Sequence, residues 1–163
     1  MCHHYSEQLL AEGEVRKAAS YALISGRKHR AVEMFSNQNF LRESVALSRC
    51  LYPDGSDQVR ENLSLWANKA TEDGNLELAV KCHLANKDVA EAARTLARRS
   101  DVTSLKLSAD LATHAGLSQL AAAYLHRVTE INEAAEISLL SDHMTQLKSA
   151  DEEQNGESVA KTN

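Results

Sequence analysis

Proline is almost missing from this chain: it occurs once among 163 residues, at Pro53, and glycine occurs only six times. Both residues interrupt helices, so their scarcity removes the usual obstacles to an all-helical chain. Runs of Val, Ile, Thr and aromatic residues are missing as well, which argues against strands. Long apolar runs are absent. The longest, such as 120–125, hold a few residues where a membrane span needs ~20. Met1-Cys2-His3-His4-Tyr5 lacks the apolar stretch of a secretory signal. The three cysteines, Cys2, Cys50 and Cys82, form no CxxC and no even set, which points to free thiols in a reducing compartment. A net charge of -5 supplies no general electrostatic basis for nucleic-acid binding.

Catalytic signatures are missing too. The chain has no Gly-rich phosphate loop, HExxH, GxSxG or Cys–His constellation of known spacing, so no enzyme activity and no cofactor are expected. Met1-Cys2-His3-His4 gathers metal-binding side chains but has no fixed geometry, and adjacent Cys82 and His83 diverge on a helix. Glu130, Glu133 and Glu136 read as a solvated acidic face, without the histidines that a carboxylate–metal bundle site needs.

What is abundant is Ala, Leu, Glu, Lys and Arg, side chains that lose little freedom in a helix. They are organised by a repeat. Glu12-Gly13-Glu14-Val15-Arg16-Lys17-Ala18-Ala19 aligns with Asp73-Gly74-Asn75-Leu76-Glu77-Leu78-Ala79-Val80, an offset of 61 residues, and Ala31 and Val32 fall on Ala92 and Ala93. An acid–Gly turn, small residues, then a second small pair describe one helical hairpin used twice. Small residues at 18, 19, 31, 79, 92 and 93 let helices approach at the near end of the ~8–10 Å range. Such hairpins bury their apolar faces by stacking. The spacing predicts an all-α, right-handed, TPR-like α-solenoid of about four hairpins over residues 1–149. Breaks are expected at Ser25-Gly26, Ser36-Asn37, Tyr52-Pro53-Asp54-Gly55, Asp73-Gly74 and His114-Ala115-Gly116, with Ser56 or Asp57 capping a long helix. One or two helices cover 117–140, and a disordered polar tail is expected over 150–163.

Two surfaces invite a functional reading. Trp66, the single tryptophan, shares a helix face with Leu63, Ala67 and Ala70. The face suits either core packing or the centre of a self-association interface. Arg27-Lys28-His29-Arg30 is the densest basic cluster, and Arg98 and Arg99 form a second. A solvated helix start explains the first and the helix dipole the second. Weak RNA contact through Arg27, Lys28, Arg30, Arg98 and Arg99 is the alternative, without interleaved aromatics for base stacking.

Longer stretches resemble a known family. Arg16-Lys17-Ala18-Ala19-Ser20-Tyr21-Ala22-Leu23, Arg30-Ala31-Val32-Glu33-Met34-Phe35, Asn39-Phe40-Leu41-Arg42-Glu43-Ser44-Val45-Ala46 and Leu51-Tyr52-Pro53-Asp54 are similar to the TPR-like middle region of the gem-associated-protein-five family. Leu65-Trp66-Ala67, Glu72-Asp73-Gly74, Ala79-Val80-Lys81-Cys82-His83-Leu84 and Ala92-Ala93-Arg94-Thr95-Leu96-Ala97 continue the match. The resemblance implies a subunit of the survival-of-motor-neurons (SMN) complex whose helical region forms a homodimer. In that family WD40 propellers recognise small nuclear RNAs, and nothing here resembles them. It therefore implies a self-associating scaffold with SMN and Gemin proteins as partners. RNA would be bound mainly through regions absent from this chain, and no membrane would be involved. Small nuclear ribonucleoprotein assembly in the cytoplasm, with nuclear gems as a second location and translation control as a second role, completes the implied setting. It also extends the Trp66 face to Leu76, Ala79, Val80 and His83. Residues 151–163 depart from the family pattern, which fits a fragment, a short paralogue or a gene-model product. Coat or intraflagellar-transport subunits, which share Ala-rich hairpin solenoids, are the alternative scaffold.

Overall fold

The structure, a computed structural model, describes the backbone of residues 2–160 and the side chains of residues 4–146. Among these residues lie nine α-helices and no strand: α1 (Cys2–Ala11), α2 (Val15–Ile24), α3 (Lys28–Asn37), α4 (Leu41–Leu51), α5 (Asp57–Glu72), α6 (Leu76–Ala85), α7 (Val89–Ala97), α8 (Val102–His114) and α9 (Ser118–Ala160). The fold class is the expected one, all-α and TPR-like. The chain divides into two compact units, Met1–Arg99 and Ser100–Asn163. In the first, each of α1 to α7 packs on the next; in the second, α8 packs on α9.

The repeat runs further than the aligned side chains suggest. Helices α2, α3, α4 and α5 begin at 15, 28, 41 and 57, and α6, α7, α8 and α9 begin 61 residues later at 76, 89, 102 and 118. The left-handed turn positions recur at the same offset: Gly13 and Gly74, Gly26 and Lys87, Asn39 and Ser100, Gly55 and Gly116. Asn39 (φ 61°), Lys87 (φ 62°) and Ser100 (φ 59°) hold this conformation with a side chain, which L-residues other than Asn seldom do. The period is therefore four helices.

The two copies differ at their helix starts. Asn75, Asp88 and Asp101 cap α6, α7 and α8, accepting from the backbone N–H of Leu78 (3.2 Å), Glu91 (3.1 Å) and Ser104 (2.9 Å). Their counterparts Glu14, Arg27 and Phe40 make no side-chain cap bond. A cap is worth about 1 kcal/mol, so the second copy starts its helices more firmly. Ser56 takes the N-cap position of α5, but its hydroxyl makes no cap bond.

Alanine forms much of the core. Ala18, Ala19, Ala22 and Ala31 pack with Leu9, Val15 and Met34 between α1, α2 and α3. A second cluster joins Val45, Val59, Leu63, Ala67 and Cys82 across α4, α5 and α6. Burial pushes the Cys82 thiol up from its usual pKa, whereas Cys50 is exposed. Between α3, α4 and α5 the interior is polar. Ser36 and Ser44 hydroxyls lie 2.9 and 2.6 Å from Asn62 Oδ1, and Asn62 Nδ2 donates to the Gln58 carbonyl at 2.7 Å.

Helix α9 is one element where one or two were open from the sequence. Its backbone stays helical to Ala160, across the expected boundary between residues 149 and 150. Residues too polar to build a core, such as Glu and Gln, are still good helix formers. Residues 161–163, and the side chains of the expected tail, lie outside the described residues.

Asn62→Ala removes the acceptor shared by the Ser36 and Ser44 hydroxyls, and with it the bridge between three helices. A loss of about 1–3 kcal/mol is expected, read as a lower urea midpoint with an unchanged m value.

Candidate self-association face

The residues expected to form a self-association face lie on two adjacent helices, and five of the eight are buried. Leu63, Trp66, Ala67 and Ala70 repeat at helical spacing on α5; Leu76, Ala79, Val80 and His83 do so on α6. These two helices pack together, and Leu63, Ala67, Ala70, Ala79 and Val80 are buried, Ala67 and Ala79 completely. Trp66, Leu76 and His83 are half-buried, with Trp66 packed on the Val45, Val59, Leu63, Ala67 and Cys82 cluster. The small-residue pattern marks a helix contact within this chain. Spacing alone specifies a close helix partner and carries no information about which chain supplies it.

At the edge of that contact a groove of about 300 Å³ is lined by Phe40, Leu41, Trp66 and Leu78. Its charged rim is largely self-neutralised. Lys69 Nζ lies 2.9 Å from Asp73 Oδ1, a bond that raises the lysine's pKa, and Arg16 donates to Glu43 at 3.0 Å. Glu43 is held below the usual carboxylate range first by a hydrogen bond from its own backbone and then by Arg16.

Among the described residues a further run of uncovered apolar side chains lies on α9, and it was not singled out in the sequence. Helix α8 has 13 residues and α9 has 43. At 1.5 Å per residue, α8 is about 20 Å long and pairs with only the first third of α9. Ala121, Tyr124 and Val128 are buried there. Beyond Val128 every described residue is exposed, including Ile137 at 67%, Leu139 at 70%, Leu140 at 67% and Met144 at 60%. Ile137, Leu140 and Met144 follow a three–four spacing and share one side of the helix. The sequence signal was available: apolar positions continue past the point where a 13-residue partner ends.

The basic residues are mostly occupied. Arg30 donates to Glu7 through Nε (2.9 Å) and Nη2 (2.8 Å), joining α3 to α1, and reaches Glu33 at 3.4 Å. The bidentate bond to Glu7 raises its pKa. His29 lies 3.2 Å from Glu33, and Arg27, Arg98 and Arg99 also have partners. Lys28 is exposed. Among the described residues no group of three His, Cys, Asp or Glu side chains is placed to hold a metal, and no helix is long and apolar enough to cross a membrane. The side chains of Met1, Cys2 and His3, part of the N-terminal metal-like run, lie outside the described residues.

Comparison with known proteins gives a consistent family. A family model described as the GEMI5 TPR domain matches residues 1–146. Gem-associated protein 5 of Mus musculus is 31% identical over 126 residues, covering 77% of this chain and 8% of that protein. Gem-associated protein 5 of Homo sapiens is 32% identical over 128 residues, with the same coverage of each. Component of gems protein 5 of Dictyostelium discoideum is 29% identical over 85 residues, covering 52% of this chain and 7% of that protein. The chain thus spans less than a tenth of the length of these relatives.

Two substitutions test these placements. Ala79→Glu sets a carboxylate where there is no solvent exposure, at a cost of roughly 3 kcal/mol or more. Helicity and Tm are expected to fall together, whereas a well-folded monomer from this variant would contradict the interior assignment. Arg30→Met removes a pair that is about one-third exposed, with an expected stability loss of ~1 kcal/mol or less and no change in RNA affinity or its salt slope.

Proposed function

The chain belongs to the GEMI5 TPR domain family over residues 1–146, and from that premise we propose that it is a non-catalytic, self-associating scaffold of gem-type assemblies. Its relatives carry the names Gem-associated protein 5 and Component of gems protein 5. The proposed setting is SMN-complex assembly of small nuclear ribonucleoproteins in the cytoplasm and at nuclear gems, with translation control as a second role. RNA is engaged mainly by other regions of such proteins.

The observation that carries the reading is the uncovered apolar face of α9. Monomeric proteins rarely leave large contiguous apolar patches in water, and Ile137, Leu139, Leu140 and Met144 are each at least 60% exposed. Full burial of one aliphatic side chain contributes about 1.5–3 kcal/mol. The three on one side, Ile137, Leu140 and Met144, are each about one-third covered already, so three from each copy supply on the order of 10 kcal/mol, comparable with the ~4–15 kcal/mol cost of association. The interface is thus expected to be concentration-dependent. A second copy, contributing the same face, is the occupant. Pairing then presents two sets of client surfaces together and raises avidity through effective concentration, with no new contact to the client.

Light scattering on the full chain tests this, with Leu140→Glu and Trp66→Glu beside it and circular dichroism as the folding control. The wild type is expected to approach dimer mass with rising concentration. Leu140→Glu is expected to stay monomeric with its helicity intact, and Trp66→Glu to keep the dimer. A monomer at every concentration would refute self-association. Loss of the dimer in Trp66→Glu alone would move the interface to the groove edge of α4, α5 and α6.

A further inference from the structure

One cavity in the first unit is built from charges that the repeat does not require. It has a volume of about 500 Å³, and three cations, Arg49, Arg60 and Lys87, line it with one carboxylate, Asp54, above an apolar floor of Val59 and Leu63. The three cations come from three separate elements: Arg49 from α4, Arg60 from α5 and Lys87 from the α6–α7 turn. Their counterparts one period away are Asp110, Ala121 and Gly26. Packing of the repeat therefore does not explain them.

Lys87 is the sharpest departure. It holds φ at 62° in the position where the other copy has Gly26 at 77°. A side chain kept in a left-handed turn, where glycine is free of strain, is a reason to look for what that side chain does. Lys87 has no ion-pair partner among the described residues. Arg49 meets Asp54 at 3.6 Å and Arg60 meets Asp57 at 2.7 Å, but both carboxylates are more than 80% exposed and are readily displaced by a competing acid. Asn86 lines the same wall and spends its Nδ2 on Ser64 at 3.1 Å, which leaves its carboxamide oxygen without a donor.

We propose that this cavity docks a short acidic peptide segment of a partner protein, with carboxylates on Arg49, Arg60 and Lys87 and an aliphatic side chain on Val59 and Leu63. The inference rests on the reading of the chain as a protein-interaction scaffold. A peptide fits better than RNA because no aromatic ring lines the cavity to stack a base, and stacking is what holds single-stranded nucleic acid in a groove.

The test is fluorescence anisotropy on the full chain with a labelled Asp-Glu-Leu-Glu-Glu peptide. The neutral Asn-Gln-Leu-Gln-Gln peptide and a labelled oligouridine are run alongside. Saturable binding of the acidic peptide is expected, weakening with salt and falling at least tenfold in both Lys87→Gly and Arg60→Gln. Lys87→Gly relieves the backbone, so loss of binding there is not loss of fold. No saturable binding at millimolar peptide, wild-type affinity in both variants, or preference for oligouridine would each overturn the proposal. The light-scattering mass of the same variants separates this site from self-association, because neither substitution touches α9.

Discussion

Close approach of helices at alanine is the constraint from which the rest follows. Ala18, Ala22, Ala31, Ala67, Ala79, Ala92, Ala93 and Ala112 have no measurable exposure. Each sits where a neighbouring helix passes, and a longer side chain there would push the axes apart or strain its neighbours. Polar links add specificity to that packing. Asn62 ties α5 to serines on α3 and α4, and Arg30 ties α3 to Glu7 on α1. Larger side chains such as Met34, Leu63 and Leu105 fill the spaces between these contacts, while Trp66 borders a groove.

Much of this was legible in the sequence. The offset of 61 residues located α2 with α6 and α3 with α7 through their alanines and acid–Gly turns. It did not reveal that α4 recurs as α8 and α5 as α9, because those helices share turn geometry more than side chains. Asn39 and Ser100 occupy equivalent left-handed positions, and only Asn39 is of a type that favours that conformation. Arg30 read as part of a basic cluster because its partner, Glu7, lies 23 residues away and is brought near only when α1, α2 and α3 gather around one core cluster.

The surroundings of the small-residue positions were the least legible feature. Leu63, Ala67, Ala70, Ala79 and Val80 are buried on α5 and α6, two helices that pack together. Periodicity encodes that a helix needs a neighbour and leaves the neighbour's identity to the fold. In the four-helix period α9 takes the place of α5, and α5 has helices packed against it on two sides, α4 and α6. Within its own unit α9 has α8, which ends long before α9 does. Among the described residues, the packing that buries the α5 face has no counterpart along residues 131–146 of α9. The Arg49, Arg60 and Lys87 cavity lies on α4, α5 and the α6–α7 turn, at a separate position.

The central claim, that residues beyond Val128 on α9 carry the self-contact while α5 and α6 are interior, is tested most directly by hydrogen exchange at low and high protein concentration. Amides of 131–146 are predicted to gain protection as concentration rises, while those of α5 and α6 remain slow and unchanged. Concentration-independent exchange along 131–146, or added protection confined to α5 and α6, would contradict the account.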